Sequence, residues 1–263
     1  MSDQPVRILQ VSDPHLMADP QGELLGVNTQ ASLEAVLSLA KTIPFDLLLL
    51  TGDLSQDYSE PAYRRLANMV KDFHVPVYCI PGNHDDVGLM AAVYPLGPIS
   101  MQRHIVLKSW QLILLNSQKP GKVHGRLDES QLSFLSHCLE TYPEHDAMVV
   151  FHHHIMPVGS AWLDQLGVEN PDAFWQVAKR FPNIKLVVMG HVHQASEHMV
   201  HGIPCYTVPS TCIQFKRNQD DFGLENLPPG CRLISLHASG FFETEVLRVK
   251  SYVGVFDENA KGY

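Results

Sequence analysis

An α/β fold is predicted by two regularities of this 263-residue chain. Five short apolar runs, each rich in β-branched residues or leucine, recur along it, and stretches with helical spacing lie between them. Alternation of that kind implies a largely parallel sheet covered by helices. A third regularity, the polar sequence that follows every apolar run, shows where to look for function.

The first run, VRILQV, reads as a buried strand. In TQASLEAVLSLAK, Leu33, Val36, Leu37 and Ala40 form an i, i+3, i+4, i+7 stripe, the mark of a helix with one face inward. FDLLLL, ending at Leu50, is the second strand. Ser59 ahead of Glu60 and Pro61 reads as a cap and helix start, with Tyr63, Leu66, Val70 and Phe73 facing inward. VPVYCI, ending at Ile80, is the third strand. Asp128 with Gln131 opens another helix that turns Leu132, Leu135 and Leu139 inward. AMVVF and IKLVVM, ending at Phe151 and Met189, complete the five strands. From Pro204 to Val249 the pattern becomes hairpin-rich, with Ser239 and Gly240 as a turn. No linker or repeat interrupts this order, so one domain over residues 1–263 is expected, with a flexible tail after about residue 253.

Composition narrows the function classes. A formal charge of −9 argues against a broad nucleic-acid or anionic-membrane surface. No apolar run approaches the ~20 residues that span a bilayer. MSDQPVRILQ is polar, so no secretory leader is expected and a cytoplasmic location follows. The five cysteines are odd in number and unclustered, which fits a reducing compartment rather than a disulfide framework. A monomer or homodimer is expected. Histidine stands out, with 15 residues.

The segments following the five strands are SDPH, TGD, PGNHD, HHH and GHVH. Parallel strands bring their carboxyl ends to one edge, where loops build a site, so these segments converge. Each has an ordinary reading when taken alone, Pro-Gly-Asn as turn chemistry for example; five in register point to a metal cluster. Carboxylates, an amide oxygen and imidazoles form the mixed donor set that suits Mn, Fe or Zn. Asp53 has two carboxylate oxygens and so can bridge two ions. Two divalent ions against Asp13 and Asp53 would leave the pocket positive and attract a phosphate to an acidic protein. In FHHHIMP, strand alternation puts His152 and His154 on one face and His153 on the other, so at most two face the cluster. His191 and His193, two apart on an extended segment, are expected to face the same side.

These five blocks resemble the signature of the calcineurin-like metallophosphoesterases. The wider set ILQVSDPHL, LLGVNT, TGDLSQD, IPGNHD, SAWLDQLGVEN and PSTCIQFK is similar to bacterial class III 3′,5′-cyclic-AMP phosphodiesterases, from about Arg7 to Val249. The resemblance implies a four-layer αββα sandwich and binuclear, metal-dependent hydrolysis of 3′,5′-cyclic AMP to 5′-AMP. It implies Asp13, His15, Asp53 and His193 around one metal and Asp53, Asn83, His152 and His191 around the other. The metals implied are Fe and/or Mn, with Zn or Co also accepted. His84, beside a ligand, becomes the general acid and, with Asn83, a substrate contact. His153 and His154 are left as orienting or packed rings. Trp162 and Phe174 read as purine-stacking or core aromatics, and Thr211 and Cys212 as base-pocket residues or as a turn and a buried thiol. Asn116 in LNSQ departs from the Asp that relatives often carry, which bears only on local loop structure. The blocks equally fit a phosphoesterase for 2′,3′-cyclic nucleotides, phosphomonoesters or other diesters and, remotely, a non-catalytic scaffold.

Overall fold

The computed structural model describes residues 4–262 apart from 95, 96, 251, 253 and 258. The first half of the chain contributes β1 (Val6–Val11), the small hairpin β2 (Glu23–Leu24) and β3 (Val27–Asn28), α1 (Thr29–Ala40), β4 (Leu47–Thr51), α2 (Glu60–Val70), β5 (Val77–Ile80), α3 (Val87–Val93) and β6 (Ile99–Ser100). The second half contributes β7 (His104–Leu107), β8 (Trp110–Leu114), α4 (Glu129–Thr141), β9 (Asp146–Val150), α5 (Ala161–Asp164), α6 (Pro171–Ala178), β10 (Ile184–Met189), β11 (Glu197–Val200), β12 (Ile203–Thr207), β13 (Gly230–Leu236) and β14 (Phe242–Arg248).

The strands form two six-stranded sheets, ordered β14-β13-β1-β4-β5-β6 and β11-β12-β10-β9-β8-β7. In the first, β1, β4, β5 and β6 run parallel, and β13 and β14 are added antiparallel. In the second, β8, β9, β10 and β12 run parallel between the antiparallel edge strands β7 and β11. The largely parallel strands read from the sequence are thus divided between two mixed sheets, as an αββα sandwich requires.

Three separate cores identify the layers. Ile8, Leu47 and Leu49 from one sheet meet Leu112, Met148, Val150, Leu186 and Val188 from the other, filling the space between the sheets. The alternate residues Leu9, Val11, Leu48 and Leu50 point the opposite way, onto Leu33, Val36 and Leu37 of α1 and Tyr63, Leu66 and Val70 of α2. Val149, Val187 and Met189 likewise pack on Leu135 and Leu139 of α4 and Phe174 of α6. Central strands covered on both faces must be apolar throughout, as these are. The result is the αββα sandwich.

Local capping agrees in part. The Asp128 side chain accepts from Gln131 N at 3.0 Å, as its spacing predicts. Ser59 does occupy the N-cap of α2, but its hydroxyl makes no cap bond; it turns instead on the Ser55 hydroxyl, which accepts from Ser59 N at 3.1 Å. Of the tail expected after about residue 253, residues 253, 258 and 263 lie outside the described residues. Within it, Phe256 packs on the α4–α6 core and Asp257 N donates to Leu25 O at 2.9 Å. No helix among the described residues is long and apolar enough to cross a membrane.

Candidate metal centre

The carboxyl ends of β1, β4, β5, β9 and β10 meet across the gap between the sheets. Asp13 N donates to Gly52 O at 3.1 Å and His15 N to Asp53 O at 3.0 Å, zipping the first two loops together. His191 N donates to both Asp13 carboxylate oxygens at 3.2 Å, tying in the second sheet. Small residues permit this approach. A Cβ on Gly190 would lie 2.8 Å from Thr51 O, and one on Gly52 2.8 Å from Gly82 N. Asp13, His15, Asp53, His191 and His193 all have positive φ, between 46° and 67°. Left-handed backbone in non-glycine residues costs roughly 1–3 kcal/mol each, and five such residues around one point are typical of strain held at a functional site.

The side chains converge as the sequence predicts for most of the set. Asp53 Oδ2 lies 3.4 Å from His152 Nε2 and 3.8 Å from His15 Nε2. Asp13 Oδ1 lies 3.5 Å from His193 Nε2 and 3.9 Å from His152 Nε2. Carbonyl oxygens only accept, so His152 Nδ1 carries a proton for Thr51 O at 2.8 Å and His193 Nδ1 one for Ile213 O at 3.0 Å. His15 Nδ1 is held the same way by Gln56 Oε1 at 2.6 Å. In each ring Nε2 then faces the centre, the nitrogen that an imidazole offers to a metal once any proton there has left.

Buried polar atoms are nearly always hydrogen-bonded. Here Asp53 Oδ2, Asn83 Oδ1, His152 Nε2 and both ring nitrogens of His191 are buried without a hydrogen-bond partner among the described residues. Asp13, His15 and His193 form one cluster of donor atoms close enough to share an ion, and Asp13, Asp53 and His152 form another. The mixed oxygen and imidazole set therefore fits divalent metals. Electrostatics agree. Burial pushes the Asp53 carboxyl up, but His152, His84 and His15 together outweigh it and hold Asp53 well below the usual range. Burial likewise opposes, and His193 and His152 together secure, a lowered Asp13. Burial drives His15 down to about 3, leaving its ring neutral, as a ligand must be.

Two geometric expectations fail. β9 ends at Val150, so His152–His154 do not continue an extended strand; the three rings instead surround His191, at 5.1, 4.7 and 5.7 Å. His153 lies within ligand reach of His152 and His191, yet its Nδ1 is 2.8 Å from the Ser117 hydroxyl and its Nε2 3.0 Å from Val123 O. His191 and His193 do not share a side either, because both have positive φ. His193 turns toward Asp13 and His15, and His191 toward the His152 loop.

Several supports escape the sequence reading. Asp85 accepts from Leu54 N, Ser55 N and Tyr63 Oη at 3.0–3.1 Å and from Gly82 N at 2.9 Å, binding the Asp53 and Asn83 loops to each other. Burial, then the charge of Asp53, raises Asp85 to about 7 against those N–H donors. The Gln118 amide donates to Gly82 O at 2.8 Å and also to Asp85 O. Gln56 lies in TGDLSQD and Ser117 and Gln118 in LNSQ, but nothing in the spacing of those blocks marks their supporting roles. Asn116 Oδ1 accepts from Gln118 N at 2.8 Å, a turn bond open to Asp as well.

His84 stands at the mouth, its N–H donating to Asp53 Oδ1 at 2.8 Å. Its ring is 5.3 Å from that of His15 and 6.5 Å from that of Tyr58. A cavity of about 620 Å³ opens on one side of it, lined by Tyr58, Asn83, Gln118 and Lys122 among others. A cavity of about 260 Å³ opens on the other, lined by Trp162, Leu163, Leu166, His191, Phe215 and Phe222. Trp162 borders the smaller cavity, whereas Phe174 is fully buried between Phe151 and Trp175. Thr211 and Cys212 are buried and border neither cavity.

The architecture is shared with a dimetal phosphatase from Danio rerio, at a TM-score of 0.62 and 12% identity, covering 94% of this chain and 100% of that one. The model of the calcineurin-like phosphoesterase family matches residues 6–195, and the chain belongs to that family. Over 266 aligned residues it is 42% identical to the 3′,5′-cyclic adenosine monophosphate phosphodiesterase CpdA of Vibrio vulnificus, covering 100% of this chain and 97% of that protein. The enzyme of the same name from Escherichia coli is 39% identical, with 98% and 95% covered.

Proposed function

We propose that this protein hydrolyses 3′,5′-cyclic AMP to 5′-AMP at a binuclear centre held by Asp13, His15, Asp53, Asn83, His152, His191 and His193. The observation that carries the reading is the set of orphaned, buried donor atoms from four loops, placed beside His84. The activity in the names of the full-length relatives supports the choice of substrate. The donor chemistry suits Fe with Mn or another divalent partner, and Asp53, with two carboxylate oxygens, would serve both ions. Metals held there would supply Lewis acidity, lowering the pKa of a water and offsetting negative charge on the phosphoryl oxygens.

The chain's own residues supply the rest. The Nδ1 anchors on His15, His152 and His193 keep their Nε2 atoms aimed inward, and Asp85 keeps the Asn83 loop against Asp53. As the P–O3′ bond breaks, the His84 ring gives a proton to O3′, which leaves as a hydroxyl; such acid catalysis contributes about 10²- to 10⁴-fold. Asn83 and His84 border the wider cavity, which supports a role for both in contacting the phosphoryl group. All five cysteines are buried and unpaired, which supports a reducing, cytoplasmic setting. Purified, Mn-loaded protein assayed on cyclic AMP, cyclic GMP, 2′,3′-cyclic AMP and aryl phosphates tests the reading. It requires cyclic AMP to have the highest kcat/KM, and it fails if an aryl or 2′,3′-cyclic ester does.

A further inference from the structure

Trp162, Phe215 and Phe222 make a three-sided aromatic corner, with ring centroids 5.1, 5.1 and 5.6 Å apart and interplanar angles of 78°, 66° and 66°. Val123, Leu163 and Leu166 add to the apolar lining, and Lys261 stands at its edge. The corner is continuous with the metal centre. Phe215 stacks flat on His193 at 4.1 Å and 7°, and His84 and His191 form the inner wall of the cavity. At about 260 Å³ the space falls below the roughly 300 Å³ at which sites for whole ligands begin. It takes one part of a ligand whose remainder lies at the centre.

We infer that this aromatic corner is the subsite for the purine base of the substrate, with Trp162 the residue that sets affinity for it; the inference rests on the cyclic-nucleotide reading above. A nucleotide with its phosphorus at the centre carries its base one ribose away, and this cavity adjoins the centre through His84 and His191. Flat π-systems are the surface that a base seeks, and stacking tolerates any purine face. Trp162 adds a directional element. Its indole Nε1, a donor only, is shielded from solvent and has no hydrogen-bond partner among the described residues, and purine ring nitrogens are acceptors. The wider cavity, with Lys122 and the half-exposed Tyr58 on its walls, is the polar alternative. It suits the ribose and solvent side better than a base that gains from an apolar wall.

Two assays test this together. In the first, Trp162→Ala, Trp162→Phe and Tyr58→Ala are compared with wild type on cyclic AMP and on 1-O-methylribose 3,5-cyclic phosphate, which keeps the ring phosphate and lacks the base. Trp162→Ala is expected to raise KM for cyclic AMP about 5- to 150-fold, the span of base–aromatic stacking. Its KM for the baseless ester should stay within about 2-fold, and Trp162→Phe should recover most of the loss. In the second, adenosine, which has no phosphoester to hydrolyse, is titrated calorimetrically into metal-loaded protein; Trp162→Ala should weaken binding by a similar factor, and Trp162→Phe restore it. Equal KM increases on both esters would overturn the inference, as would unchanged adenosine affinity in Trp162→Ala, or a base-selective loss in Tyr58→Ala alone. A wild type that binds adenosine through Trp162 but leaves cyclic AMP intact would contradict the proposed reaction and uphold the subsite.

Discussion

One methyl group at Gly82 is expected to disable the centre while leaving the sandwich folded. A Cβ there would sit 2.5 Å from Asp53 N and 2.8 Å from Asp53 Cγ, and closer still to Oδ1. Carbon contacts settle near 3.5 Å, so the Asn83 and Asp53 loops must part by about 1 Å. Neither loop has slack in the other direction. A Cβ on Gly52 would likewise lie only 2.8–2.9 Å from the Gly82 backbone, and Asp85 clamps both loops. Metal–ligand distances tolerate about ±0.2 Å, so Asn83 and Asp53 can no longer serve one ion. A misplacement of about 1 Å is worth about 10²-fold in rate, and overpacking of this kind about 1–3 kcal/mol in stability. The assay is kcat on cyclic AMP with metal content by mass spectrometry and a circular-dichroism melt. Gly202→Ala is the control: φ there is +81°, but a Cβ meets nothing within 4 Å, so it imposes backbone strain far from the loops with no clash. Full metal content and kcat within 2-fold of wild type in Gly82→Ala would refute the reasoning that loop approach sets the centre.

Three further outcomes follow from the same geometry. His84→Ala should lose about 10²- to 10⁴-fold on cyclic AMP yet keep a much larger fraction of activity on bis(p-nitrophenyl) phosphate, whose leaving group needs no proton; equal slowing at full metal loading would remove the acid role. His152→Ala should lose metal, and His153→Ala should retain both ions, because Ser117 and Val123 already occupy the His153 nitrogens; the reverse would reassign the ligand. Asp85→Asn places an NH₂ against backbone N–H donors and should lower stability by about 1.5–3 kcal/mol for each charged hydrogen bond lost, read from a chemical-denaturation curve; an unchanged midpoint would show that the clamp is dispensable.

The strands were legible because central strands of this sandwich are buried on both faces and so read as unbroken apolar runs. For the same reason their membership in one sheet or two was not. Leu47 and Leu48 look alike in sequence, although one meets the second sheet and the other the α1–α2 layer. The ligand blocks were legible because each follows a strand, so topology alone gathers them. Their orientations were not, since arguments from alternation fail where the chain leaves extended geometry, as it does past Val150 and at His191. The choice of His152 came from family resemblance, and the Thr51 carbonyl that fixes its ring lies 101 residues away.

The most direct test is stoichiometric reconstitution. Metal-free protein is titrated with Mn(II), and cyclic-AMP turnover is followed together with metal bound per chain and the identity of the nucleotide released. The account predicts that turnover rises with the second equivalent, saturates at two ions per chain, and yields 5′-AMP alone. Full activity at one ion per chain, turnover without metal, or release of 3′-AMP would contradict it.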